Sequence, residues 1–199
     1  MNIAISGSSG FIGSNLSNFL NKFKNINLII ILRNPSIDDH SYSYDDFFSG
    51  NIDKKIDVFI HLASPNYDYC KDNSLRDGIA GLTDNILKNL ENYDFKKFIY
   101  FSSCKVYGES SMDNVIYSES SKLNPISDYA KAKAEAESIV SDFSIEKNID
   151  FLIYRLPFVY GNRMKSNLNT LLKTINQSIP FILIEGKYYN YKDFPIMRF

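Results

Sequence analysis

The chain has 199 residues, 44% of them hydrophobic, and a formal net charge of -1 at pH 7. This suits one packed domain with the beginning of a second, and it excludes a disordered or fibrous chain. The near-balanced charge, with no basic stripe, excludes the electrostatic footprint of a nucleic-acid binder.

Cys70 and Cys104 are the only cysteines, too few for a disulfide framework, and neither forms a metal-ligand cluster with His40 or His61. No metal site is expected, and a reducing cytoplasm fits. The longest strongly aliphatic run, Leu28 to Leu32, is far too short to cross a bilayer, and the N-terminus runs straight into a strand-like segment without a leader pattern. The reading is of a soluble, cytoplasmic protein without a membrane partner.

Asn2 to Ser6 reads as a short buried strand, followed at once by Gly7-Ser-Ser-Gly10-Phe-Ile-Gly13 and a helix with Ile12, Leu16, Phe19, Leu20 and Phe23 at helical spacing. A strand, a glycine-rich turn and a helix N-terminus present backbone N–H groups and a positive dipole end to an anion, most often a dinucleotide pyrophosphate. An ordinary turn is the alternative. Leu28 to Leu32 is the second strand, ending in Arg33. An arginine here accommodates a 2′-phosphate and so leans toward NADP; a solvated arginine at a strand end is the other reading.

Tyr42 to Asp46 has the look of a short strand, and Asp57 to Ala63 is a clear apolar one that closes in small residues where a backbone can approach a cofactor. His61 within it reads as a packed strand histidine. Leu75, Ile79, Leu82, Ile86 and Leu90 predict an amphipathic helix of about five turns. Asn85 on it is either near the site or a solvated asparagine. Lys97 to Ser102 is the next strand, running into Ser103-Cys-Lys-Val-Tyr-Gly108 at the carboxyl edge where open parallel sheets bind ligands.

Asn124-Pro125 leads into a helix from Ser127 through Phe143, followed by a strand over Asp150 to Tyr154 and the run Arg155 to Gly161. Leu168, Leu171, Leu172 and Ile175 mark another helix, Phe181 to Ile184 a short apolar segment, and Lys187 to Phe199 an aromatic tail without period. Strands alternating with helices predict an α/β fold, a Rossmann-type doubly wound parallel sheet with helices on both faces.

Tyr129 and Lys133, four apart in a run of helix formers, seat a phenol beside an ammonium on one helical face. An adjacent cation favours phenolate and lets a tyrosine exchange a proton near neutral pH. The same spacing occurs at Tyr67/Lys71, Tyr93/Lys97 and Tyr188/Lys192, which fall in a loop, across a turn into a strand, and in the aperiodic tail. Only Tyr129/Lys133 has helical support.

In order along nearly the whole chain, Ser6 to Gly13, Ile60-His-Leu-Ala63, Phe101 to Gly108, Tyr129-Ala-Lys-Ala-Lys133 and Arg155 to Gly161 resemble the extended short-chain dehydrogenase/reductases, the NAD-dependent epimerase/dehydratase family that acts on nucleotide sugars. The resemblance implies a catalytic trio in which Ser103 bonds the reacting sugar oxygen, Tyr129 is the acid/base, and Lys133 holds the nicotinamide ribose and lowers the tyrosine's pKa. It implies an NAD(P) site at Gly7, Ser9, Gly10, Phe11, Ile12, Gly13, Arg33, Leu62, Ala63, Tyr129, Lys133 and Pro157. It further implies hydride transfer at a sugar carbon, as a 4-epimerase or 4-ketoreductase of a UDP-sugar, and a homodimer through helices near 74–91 and 128–144, with apolar outer faces as the physical reason.

Three departures qualify this. Cys104 and Lys105 stand where dehydratases of the family carry an Asp-Glu pair, which disfavours 4,6-dehydration. Phe158 stands where many members have a sugar-contacting asparagine. Family members usually run longer, with a C-terminal lobe that grips the substrate nucleotide. Residues 1–165 are therefore expected to form the NAD(P)-binding domain and 166–199 the start of a truncated substrate lobe, mostly missing. A dinucleotide-binding protein without turnover is the alternative function.

Overall fold

The computed structural model describes residues 1–35, 41–53, 55–65, 74–108 and 116–161. The pairs Tyr67/Lys71 and Tyr188/Lys192, the helix marked by Leu168 to Ile175 and everything beyond it lie outside the described residues. The chain divides into two compact units, Met1–Leu156 and Pro157–Phe199. In the second, residues 157–161 are described, and they form neither helix nor strand.

The first unit is built on six strands: β1 (Asn2–Ser6), β2 (Asn27–Leu32), β3 (Ser41–Ser43), β4 (Val58–His61), β5 (Lys97–Ser103) and β6 (Asp150–Leu156). All pair in parallel, in the order β3-β2-β1-β4-β5-β6. Order reverses at β1, between its partners β2 and β4. In such a sheet the carboxyl ends of the strands share one edge, and ligands bind outside it at this switch point.

The helices are α1 (Phe11–Leu20), α2 (Tyr44–Phe48), α3 (Ser74–Arg76), α4 (Leu82–Leu90) and α5 (Asp128–Lys147). They cover both faces. Leu16 and Leu20 of α1 pack on Ile3, Ile5 and Ile60, while α2, α4 and α5 bury Phe47, Leu87, Leu90, Ala136 and Val140 against Phe59, Phe98 and Tyr100. Each fully buried large apolar side chain contributes about 1.5–3 kcal/mol. Phe47 stacks on Tyr93 at 5.3 Å and Phe59 on Phe98 at 5.6 Å. Tyr93 donates its hydroxyl to the Phe47 carbonyl at 2.8 Å. That tyrosine is a core tether, which agrees with its exclusion as an acid/base pair with Lys97.

Besides shifts of a few residues at element ends, two elements differ in kind from the sequence expectation. The strand at Tyr42 to Asp46 ends at Ser43, because Ser43 and Asp46 form a capping box: the Ser43 hydroxyl accepts from the Asp46 N–H at 2.9 Å, and the Asp46 carboxylate accepts from the Ser43 N–H at 2.9 Å. The chain turns there into α2. The five-turn helix over Leu75 to Leu90 contains a wide π turn at Asp77–Gly81 between α3 and α4. No helix among the described residues is long and apolar enough to cross a membrane.

Candidate active site

The glycine loop leaves β1 at Ser6, whose carbonyl accepts from the Leu62 N–H at 2.9 Å. Gly7 adopts φ 83, and a Cβ there would sit 2.4 Å from the Ala63 nitrogen and 2.6 Å from the Leu62 carbonyl carbon. Only glycine lets the loop lie against the end of β4 in this way. At Gly13, inside α1, a Cβ would lie 2.2 Å from the Gly7 oxygen, so this glycine closes the helix onto the turn. Gly10 differs: a Cβ would meet only the Gly7 oxygen, at 3.3 Å, and the residue is exposed.

Ser9 and Gly10 are exposed, and Phe11 and Ile12 are half-buried at the helix start. No side chain caps α1 and its first turn holds no acidic residue. Its opening N–H groups are thus left to an anion, in a cradle whose glycines admit close approach, and the residues fit a dinucleotide pyrophosphate. Arg33 lies exposed just past β2, and its charge is felt at the phenol of Tyr44.

Beneath the loop, His61 is 1% exposed. Its Nδ1 lies 2.7 Å from the Ser6 hydroxyl and its Nε2 lies 3.1 Å from that of Thr83. Thr83 donates its hydroxyl to the Ile79 carbonyl at 2.7 Å, so its oxygen accepts from His61 Nε2–H, and Nδ1 accepts from Ser6. Burial, with the Lys133 charge adding to it, lowers the imidazole pKa to about 3. The expected packed histidine is a neutral strut joining β1, β4 and α4. Thr83, which the sequence did not single out, is its second support; the only signal in the chain is a threonine on the buried face of a helix. Asn85 is exposed and bonds Asn89, which settles it as the solvated asparagine.

Ser103 stands at the carboxyl end of β5, and Tyr129 and Lys133 lie on α5, which packs against that strand. Ser103 ends the strand and caps a short 3-10 turn, Cys104–Tyr107, accepting from the Lys105 N–H at 3.3 Å. Helix α5 starts at the N-cap Ser127, whose hydroxyl accepts from the Ala130 N–H, and ends at Asn148 in the left-handed conformation, φ 54. Ala130, Ala132 and Ala136 are buried along its length, so the helix comes close to the sheet. Lys133 is thereby drawn inward, 3% exposed, and its Nζ donates to the Phe101 carbonyl at 2.9 Å. The amine lies 4.8 Å from the Tyr100 ring centre and 5.9 Å from that of Tyr129.

Burial lowers Lys133 to about 8, opposed by the Glu137 carboxylate. Tyr129 is a correction to the sequence expectation: burial raises its phenol above the ordinary value, with the neighbouring Cys104 thiol adding to the rise. Cys104 is a free, half-buried thiol, itself raised by burial.

One further cluster borders the trio. Arg155 of β6 donates to both carboxylate oxygens of Glu137 at 2.8–3.1 Å, to the Tyr107 hydroxyl at 2.8 Å and to the Glu119 carbonyl at 3.0 Å. Tyr107 also stacks on Tyr117 at 4.9 Å. Glu137 and Arg155 stand 18 residues apart in the sequence, and nothing local pairs them. Pro157 opens the second unit and is half-buried.

The chain is similar to known proteins over most of its length. The profile described as "NAD dependent epimerase/dehydratase family" matches residues 3–187. The dTDP-D-glucose 4,6-dehydratase of Dictyostelium discoideum is 31% identical over 194 residues, covering 80% of this chain and 44% of that protein. The UDP-glucose 4-epimerase of Vibrio cholerae is 27% identical over 195 residues, covering 89% and 58%. The crystal structure of UDP-glucuronic acid 4-epimerase from Bacillus cereus in complex with UDP-glucuronic acid and NAD superimposes with a TM-score of 0.76 at 25% identity, covering 90% of this chain and 64% of that one. The chain thus spans 44% to 64% of the length of these relatives. With the glycine cradle, the parallel sheet and the match over residues 3–187 in agreement, the chain belongs to the NAD dependent epimerase/dehydratase family.

Proposed function

We propose that this chain binds NAD(P) along the carboxyl edge of the sheet and epimerises a UDP-sugar at carbon 4. The observation that carries the reading is the placement of Lys133, held on the Phe101 carbonyl at 2.9 Å and 5.9 Å from the Tyr129 ring, behind the strand that delivers Ser103. In this reading residues 1–165 form the cofactor domain, and Gly7, Ser9, Gly10, Phe11, Ile12, Gly13, Leu62 and Ala63 line the cofactor.

A bound nicotinamide supplies the hydride acceptor and donor at the sugar carbon. Ser103 would hold the C4 oxygen; Tyr129, as phenolate, would take the hydroxyl proton as the hydride leaves, keep it as phenol while the ketone persists and return it as the ketone is reduced, and Lys133 would stabilise the phenolate before the first transfer and after the last. The positive charge of the oxidised ring would offset the burial that raises Tyr129. Cys104 and Lys105, in place of a dehydratase's Asp-Glu pair, favour epimerisation over loss of water, as do the Vibrio and Bacillus relatives, both 4-epimerases.

The finer choice of cofactor rests on Arg33, which favours the 2′-phosphate of NADP, against the Bacillus complex, which holds NAD. A 4-ketoreductase would follow from NADP use. Binding without turnover is a second reading, favoured by the burial that raises the Tyr129 phenol. A homodimer through helices near 74–91 and 128–144 belongs to the proposal, although among the described residues Ile145 is the only large apolar side chain left exposed on α5.

The test is incubation with UDP-glucose or UDP-glucuronic acid and NAD, and separately with a UDP-4-ketohexose and NADPH, followed by chromatography. Formation of the C4 epimer, lost in Tyr129→Phe, supports the first reading. Tight binding of NAD or NADP with no product from any sugar supports the second, and absence of cofactor binding overturns both.

A further inference from the structure

The bidentate grip of Arg155 on Glu137 has no place in the steps above, yet it lies one helical turn beyond Lys133. Positions four apart face the same side of a helix, with Cβ atoms about 5–6 Å apart. Both Lys133 and Glu137 are buried, at 3% and 4% exposure, on the side of α5 that meets β5 and β6. A buried carboxylate is unfavourable unless paired and hydrogen-bonded, and Arg155 satisfies it with three contacts at 2.8–3.1 Å. The fork is itself fixed, by the Tyr107 hydroxyl and the Glu119 carbonyl.

We propose that Glu137, clamped by Arg155, is a positioning residue that keeps Lys133 protonated and directed inward beside Tyr129. It rests on the reading of Lys133 as the amine that serves the acid/base tyrosine. Glu137 provides the counter-charge that a buried ammonium otherwise lacks, and the Arg155 fork keeps that carboxylate from turning out to water. Since Arg155 belongs to β6 and Tyr107 to the turn after Ser103, the clamp also ties the helix carrying Lys133 to the strand and the turn that frame the trio.

The other groups facing Lys133 do not supply this charge. On β5 they are the Tyr100 ring and the Phe101 carbonyl; on α5, the Tyr129 ring; on β4, His61, which burial keeps neutral. Cys104 of the 3-10 turn reaches Tyr129, and burial keeps its thiol protonated. From α3, Arg76 is paired with Glu135 at the surface, and Asp77 on the π turn is exposed. Glu137 is the buried carboxylate on this side.

The test is an NMR titration of the chain carrying 13C at lysine Cε and glutamate Cδ, with Lys133 assigned by its loss in Lys133→Arg. In Glu137→Gln the Lys133 midpoint should fall by about half a unit or more, while in Glu137→Asp, which keeps the charge, it should stay near that of the parent chain. In the parent chain, the Glu137 carboxylate signal should inflect at the Lys133 midpoint, a readout that needs no variant to fold. A folded Glu137→Gln chain with an unmoved Lys133 midpoint overturns the proposal, as does equal displacement in the Gln and Asp variants or a Glu137 signal blind to Lys133. Calorimetric titration of the same parent sample with NAD and NADP reports separately on the proposed function: failure to bind either sinks that reading without altering the lysine titration.

Discussion

Ser6 and His61 close a 2.7 Å hydrogen bond between the last residues of two adjacent strands, directly under the glycine loop. The bond needs a neutral imidazole with Nδ1 free to accept. In the folded chain His61 protonates only near pH 3, whereas in the unfolded chain it does so near its ordinary 6.5. Below about pH 6.5 the unfolded state therefore binds a proton that the folded state refuses, and stability falls as pH falls toward 3. The expected slope is at most about 1.4 kcal/mol per pH unit from this residue. Urea unfolding at pH 7 and pH 5.5, compared between the parent chain and His61→Asn, isolates it; an identical pH dependence in the two would refute the assignment.

Gly13 and Gly10 make a matched pair of substitutions. A methyl at Gly13 meets backbone atoms at 2.2 Å and 2.7 Å, which cannot step aside as a side chain would. Gly13→Ala should cost about 1–3 kcal/mol of stability and most of the cofactor affinity. Gly10→Ala meets only one atom, at 3.3 Å, at φ -73, and should melt within about 0.5 kcal/mol of the parent chain. If a dinucleotide lies where the open side of Gly10 faces, that variant should still lose about tenfold or more in affinity, roughly 1.4 kcal/mol. Thermal melts and NAD titration of both variants check this.

Tyr129→Phe removes one hydroxyl and leaves the ring that packs beneath Lys133. Loss of a general acid/base typically costs about 10²- to 10⁴-fold in rate. Epimer formation should fall by that much while NAD(P) affinity changes little. Equal losses in both would mean that the phenol serves binding.

Arg155→Met leaves the Glu137 carboxylate buried without its cation. Breaking such a pair from one side costs about 3–5 kcal/mol, whereas replacing both partners by apolar groups is often neutral. The single variant should lower the urea midpoint sharply, and Arg155→Met with Glu137→Leu should recover most of the loss. A double variant no better than the single would locate the cost elsewhere.

Strands and the glycine turn were legible in the sequence because they are local patterns: β1 matches its expected residues, and β2, β5 and β6 differ by one or two at an end. What the sequence concealed depends on which side chains meet across the sheet. Ser43 and Asp46 read as strand, but their capping box decides for a helix. The helix over Leu75 to Leu90 reads as regular, since its apolar spacing carries no sign of the π turn at Asp77–Gly81, and the meeting of Thr83 with His61 is set across elements. Tyr129 and Lys133 were found by spacing, yet spacing cannot report burial, and burial reverses the expected direction of the tyrosine's pKa. Glu137 and Arg155 are 18 residues apart and join only once α5 lies against β6.

Lys133 is held by the main chain at Phe101, through a carbonyl that every amino acid carries. No substitution at position 101 deletes that acceptor, so drift in the side chain there leaves the amine's anchor in place. The hold is lost only by moving the strand or changing the lysine itself, which makes this part of the site tolerant to mutation at the residue that touches it and sensitive at residues that set the fit of α5 on β5.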